Sequence, residues 1–191
     1  MGRPRKPLWP PGHRGFESHT LRFVTGRVVA TLQGVTGELS VTREIGAPAE
    51  QVWAMVSDVT RMGEWSPENV GGKWLRGATS AEPGAKFRGA NRIGWRRWST
   101  VGTVVDAEPG RAFSFRVSSF GIPVADWGYS FEQTPTGCRV TESWTDHRPG
   151  WFRPLAQLAT GVSDREAHNR AGMQQTLERL AAVAEARSPA G

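Results

Sequence analysis

One cysteine, one tyrosine and three lysines are all that this 191-residue sequence holds of those side chains. A lone Cys138 excludes an intramolecular disulfide framework and a cysteine-rich zinc site. Nothing therefore requires an oxidising compartment, and a cytoplasmic location is expected. Long apolar runs are missing too. Phe23-Val24 and Val28-Val29-Ala30 are separated by Arg27 and fall far below the ~20 residues of a bilayer-spanning helix, so we expect neither a membrane span nor a signal peptide. Phosphate-loop, dinucleotide, nucleophile-elbow and zinc-helix motifs are absent as well. That removes the commoner cofactor-dependent enzymes, and we expect no cofactor and no metal.

Acidic residues are scarce in one place only. The net charge of +6 is concentrated in residues 1–35, where Arg3, Arg5, Lys6, Arg14, Arg22 and Arg27 face Glu17 alone. The rest of the chain balances 18 cations against 17 carboxylates. A phosphate-binding surface needs clustered cations, so the basic total is no argument for nucleic acid, and none is expected as a partner. Arginine supplies 21 of the 24 cations, a composition that points to a GC-rich, bacterial genome.

Pro4, Pro7, Pro10, Pro11, Gly12 and Gly15 interrupt any regular element in residues 1–35, which read as a disordered basic tail. A second reading concerns the gene. Gly15-Phe16-Glu17-Ser18-His19 is encoded by GGG-TTC-GAG-TCC-CAC, which contains the T-arm pattern of a tRNA. On that reading the frame is opened too far upstream, with the native start near Val29 or Val35. Residues 36–187 hold the expected domain, and 188–191 a disordered end. A chain of this size fits one domain plus a tail.

From Leu39 the pattern turns regular. Leu39, Val41, Arg43 and Ile45 alternate with Ser40, Thr42 and Glu44 as in a half-buried strand. Gly46-Ala47-Pro48 then opens a short helix carrying Val52, Trp53, Met55 and Val56, and a second helical piece is expected over 59–65. Six strands follow at 72–77, 85–92, 98–106, 112–120, 124–133 and 138–146. Glu82-Pro83-Gly84, Glu108-Pro109-Gly110 and Thr134-Pro135-Thr136-Gly137 supply turn chemistry between them. After Pro149-Gly150 the period becomes helical. Asn169, Met173, Thr176, Leu177, Leu180 and Ala184 form one stripe of a long helix over 163–186. The sum is an α+β domain in which that helix covers a curved seven-stranded antiparallel sheet, with two short helices after the first strand.

This order, with Glu44-Ile45-Gly46-Ala47-Pro48-Ala49-Glu50-Gln51-Val52-Trp53, Asp58 and Trp65, Gly137-Cys138-Arg139-Val140-Thr141-Glu142-Ser143-Trp144 and Thr176-Leu177-Glu178-Arg179-Leu180, resembles the START-like (helix-grip, SRPBCC) superfamily in its polyketide cyclase/dehydrase-like branch. The resemblance implies a helix-grip fold around a cavity. It does not fix the activity, because its members include lipid and hormone binders, polyketide cyclases, ring-hydroxylase subunits and toxin-like partners.

Eight of the nine tryptophans lie between Trp53 and Trp151. Rings of that size must cover something. Trp65, Phe87 and Phe115, with Trp127, Trp144 and Met173, are candidates to line a ligand cavity, and an ordinary packed core is the competing reading. Asn91 and Asn169 are amides on otherwise apolar faces, where each needs a hydrogen-bond partner in the protein or on a ligand. Tyr129 lies on an inward face as well. Glu142 shares a strand face with Val140 and Trp144 and is a candidate acid or base, although its residue type favours a solvated or salt-bridged carboxylate.

Other features carry less. Glu64 and Glu68 flank Pro67 and do not form a paired-carboxylate device, and Asp146, His147 and an isolated His168 do not compose a metal site. The segment from Arg92 to Trp98 is a basic, aromatic hairpin turn, with arginine stacked on tryptophan. Three functions fit: a binder of a small hydrophobic or aromatic molecule; a cofactor-independent cyclase or dehydratase using Glu142, Asn91 or Tyr129; and a protein-interaction module or homodimer.

Overall fold

In a computed structural model, which describes residues 38–187, the elements follow the order that the sequence pattern predicts, with several shifted boundaries and one added α-helix. The first strand, β1 (Glu38–Ile45), is followed by α1 (Ala49–Ser57) and a 3-10 helix over Val59–Glu64. Six further strands follow: β2 (Asn69–Leu75), β3 (Lys86–Ile93), β4 (Arg96–Glu108), β5 (Ala112–Ser119), β6 (Ile122–Thr134) and β7 (Gly137–Asp146). A 3-10 turn over Gly150–Phe152 leads into α2 (Arg153–Thr160) and the long α3 (Arg165–Arg187). The tail, its second reading as an upstream start, and the last four residues lie outside the described residues.

Local chemistry explains the element ends. Pro48 stands at the cap position of α1 with φ −57°, and Gln133 Oε1 accepts from the Ala49 N–H at 3.0 Å. Asp58 starts the 3-10 helix by accepting from the Thr60 N–H and hydroxyl at 3.1 and 2.6 Å. Asp164 Oδ1 accepts from the Ala167 N–H at 2.9 Å, which caps α3.

The strands form one antiparallel sheet in the order β1-β7-β6-β5-β4-β3-β2. Register shifts interrupt the β2–β3, β4–β5 and β5–β6 ladders. Such bulges bend a sheet, and here they let it curl around α3 in the expected helix-grip arrangement. The buried stripe of α3 runs Asn169, Met173, Thr176, Leu177, Leu180, Ala181 and Ala184. It packs against β1 and β7, with α1 alongside. Val52, Val59, Phe113, Val140 and Leu180 are completely buried in that core.

Three strands depart most from the expected bounds, among them β6, which runs over Ile122–Thr134 rather than 124–133. β2 begins at Asn69 rather than 72, and β4 runs thirteen residues rather than the expected nine. Gly71 and Gly72 hide the period of β2, and the Arg96-Arg97-Trp98 start of β4 reads as turn chemistry. The C-terminal helix starts at Arg165, two residues later than expected, and a separate short helix precedes it. Gly161 takes the left-handed φ of 76° and its N–H returns to Gln157 O, ending α2 four residues before α3 begins. α2 escapes the periodic reading because Leu155 and Leu158 face outward.

Candidate ligand-binding cavity

The concave side of the sheet is not filled by α3 along its whole length. A cavity of about 660 Å³ lies between β3–β7, the segment after the first 3-10 helix, α2 and the first half of α3. A volume of that order is typical of pockets that enclose drug-sized molecules. Its wall includes all nine residues singled out from sequence: Trp65, Phe87, Asn91, Phe115 and Trp127, with Tyr129, Trp144, Asn169 and Met173. Glu142 is there too.

The aromatic wall is built by strand register. Trp127 sits opposite Trp144 on neighbouring strands, ring centroids 6.5 Å apart. Phe87 meets Phe115 edge-on at 5.2 Å and Trp74 at 5.8 Å, geometries that favour aromatic contact. A Cβ at Gly102 would overlap the Phe87 ring, so the glycine is what lets that ring lie flat on β4. Trp53, by contrast, is a strut, its indole N–H donating to Ala112 O at 2.8 Å.

Glu142 is the wall's most unusual member. It faces Tyr129 across the β6–β7 ladder, and the Tyr129 hydroxyl donates to Oε1 at 2.7 Å. Oε2 has no hydrogen-bond partner, and the residue is 2% exposed. The solvated or salt-bridged carboxylate favoured by residue type is therefore corrected: the period of β7 turns Glu142 inward. Burial pushes its pKa up to about 8 against the opposing effect of the Tyr129 hydrogen bond. Burial, followed by the neighbouring Glu142, raises the Tyr129 pKa well above its usual value. At neutral pH Glu142 is accordingly a neutral carboxylic acid beside a neutral phenol.

The two amides behave differently. Asn91 Oδ1 accepts from Asn69 Nδ2, and its Nδ2 donates to Thr100 Oγ1, both at 3.4 Å. It is a satisfied amide, at long distances. The Asn169 side chain, buried on α3, makes no hydrogen bond among the described residues, which leaves an amide without a partner on the cavity wall.

A second polar group was not legible in the sequence. Glu68 Oε2 lies 2.7 Å from Arg165 Nη1 and 3.0 Å from the His168 ring Nε2, and all three line the cavity. Burial opposes the Glu68 charge, but the hydrogen bond to His168 and the charge of Arg165 outweigh it and hold its pKa below the usual value. His168 is thus not isolated; it helps to tie the loop before β2 to α3. Chain separations of 97 and 100 residues hide this cluster from any spacing argument. Glu64 pairs with Arg61 instead, at 2.6 Å. Asp146 binds Arg148 at 2.9 Å, and His147 Nε2 lies 3.0 Å from Asp126. Among the described residues no three His, Cys, Asp or Glu side chains are grouped to hold a metal, and no helix is long and apolar enough to cross a membrane.

Comparison with known proteins agrees with this architecture. The family model described as polyketide cyclase / dehydrase and lipid transport matches residues 36–185. A polyketide-cyclase-like protein of Corynebacterium glutamicum is 31% identical, over 78% of this chain and 91% of its own, with a TM-score of 0.55. A protein of Chromobacterium violaceum shares the fold at 16% identity, over 78% of this chain and 98% of its own, with a TM-score of 0.60. The di-domain ARO/CYC StfQ of the steffimycin biosynthetic pathway does so at 14% identity, over 78% of this chain and 51% of its own, with a TM-score of 0.62. No curated protein matches.

Proposed function

We propose, because the chain belongs to the polyketide cyclase / dehydrase and lipid transport family, that its cavity binds a small hydrophobic or aromatic molecule of lipid- or polyketide-like chemistry. The observation that carries this reading is a cavity of about 660 Å³ whose surface is mostly apolar, with Glu142, Asn91, Asn169 and the Glu68–Arg165–His168 cluster among the polar groups that line it. Apolar burial supplies affinity, at roughly 25 cal/mol per Å² removed from water. Orientation comes from the free Glu142 oxygen and the Asn169 amide, both of which are open to a hydrogen bond from a guest.

The test is native mass spectrometry of the full chain, purified from its host without denaturation, together with titration of an apolar fluorescent probe. A bound small molecule, or saturable probe binding at one site, supports the reading. An empty protein that ignores the probe overturns it and favours a protein-interaction module.

One observation favours a second reading, a cofactor-independent cyclase or dehydratase. A neutral carboxylic acid facing an apolar cavity can donate its proton to a substrate oxygen, with Tyr129 holding the other carboxyl oxygen in place. Activity would then fall as pH rises through about 8, and Glu142→Gln would abolish turnover while leaving probe binding intact. Unaltered turnover in that variant removes Glu142 from the chemistry.

A further inference from the structure

The cavity opens toward an end of the molecule that has no packing partner of its own. Phe120, at the tip of the β5–β6 hairpin, is 99% exposed, and Trp95, at the tip of the β3–β4 hairpin, is 81% exposed. Trp151, Leu155 and Leu158 project from α2 and the turn before it at 64, 55 and 77%. The tips and the helix belong to one region. Phe120 and Leu155 both line the cavity, and the Arg96 guanidinium beside Trp95 lies against Gly161 at the end of α2. Large rings and leucines at such exposure mark a surface that meets something apolar.

Phe120 adds an independent sign. It holds a left-handed φ of 50° directly before Gly121 at 80°, the two-residue hairpin turn that favours Asn-Gly. A bulky residue there is disfavoured, and its ring gains no internal contact in return. The chain keeps a costly aromatic at the outermost point of the face.

Charge identifies what the face meets. At this end Arg116 pairs with Asp126, and Arg148 and Arg153 pair with Asp146. Arg92, Arg96 and Arg97 have no carboxylate partner among the described residues. A second copy docked by two-fold symmetry would set these arginines against each other. An anionic bilayer offers both complements at once, acidic headgroups for the guanidinium groups and acyl chains for the rings and leucines.

We propose that this face, formed by the two hairpin tips and α2, docks on the surface of an anionic lipid membrane with the cavity mouth toward the lipid. The proposal goes beyond ligand binding and does not depend on which guest the cavity holds.

The experiment is co-sedimentation of the full chain with vesicles of phosphatidylglycerol and phosphatidylcholine, against phosphatidylcholine alone, over a salt series. The wild type is expected to partition to the anionic vesicles and to weaken with salt. Replacing Arg92, Arg96 and Arg97 together by Glu should lower partitioning on the order of a hundredfold. Phe120→Asn should lower it about tenfold while keeping or raising the melting temperature, because Asn suits the left-handed turn. The basic first 35 residues are present in every variant, so the differences report this face alone. Absence of wild-type binding overturns the proposal. So does binding that the variants leave unchanged, or a dimer that Phe120→Asn dissociates without any vesicle binding.

Discussion

The same elements build a solid half and a hollow half. On α3, Arg165, His168, Asn169, Met173 and Thr176 line the cavity, whereas Leu177, Leu180, Ala181 and Ala184 pack with no space beside them. On β7, Glu142 and Trp144 face the cavity while Cys138 and Val140 do not; on β6 the change falls between Tyr129 and Phe131, and on β5 between Phe115 and Phe113. Polar groups on an otherwise apolar stripe mark the hollow side in α3 and β7. A packed core excludes groups it cannot satisfy, whereas a wall awaiting a guest tolerates them.

The largest expected effect is at Glu142. Its pKa rises from an ordinary 4.5 to about 8, so between these values the native state holds a proton that the unfolded chain releases. The contribution of the neutral acid is fully present below about pH 4.5 and is lost as pH rises toward 8. Glu142→Gln, which keeps an oxygen for the Tyr129 hydroxyl, should match the wild type near pH 4 and exceed its stability by roughly 4 kcal/mol at pH 9. Urea unfolding across that range checks it, and parallel curves would mean that Glu142 is charged in the folded protein.

Next comes a pair of truncations on one helix. Leu180→Ala in the solid half should cost about 3 kcal/mol. Met173→Ala on the cavity wall should cost about 1 kcal/mol, because one side of that side chain already lacks protein neighbours. Equal shifts in the urea midpoint would erase the division between the halves.

Glu68 should give a smaller effect of opposite sign in pH. Its folded pKa is lowered, so its contribution is present above its ordinary value and is lost as pH falls through the folded value. Glu68→Gln should cost about 1 kcal/mol at pH 7 and less in acid. A thermal-melt comparison at the two pH values tests the tie between the loop before β2 and α3.

How much of this was legible follows from what period can encode. Strand alternation placed Trp127, Tyr129 and Trp144 on inward faces and offered Glu142 there as a candidate, and the helical stripe placed Asn169 and Met173, so the aromatic part of the wall was readable. Period does not report whether an inward face meets packed atoms or empty space. It also does not report contacts between distant segments, which is why Glu68, Arg165 and His168 read as unrelated. α2 was missed because its leucines point outward, the reverse of the signal that reveals a core helix.

The most direct test of a hollow half built to take a guest is to fill it. Thr176 is small, buried and on the cavity wall. Binding of the apolar fluorescent probe should be measured for Thr176→Phe beside the wild type. The account predicts that the ring occupies the void, abolishing probe binding while the melting temperature is kept or raised. A variant that binds the probe as well as the wild type, or that fails to fold because no room exists for the ring, would contradict it.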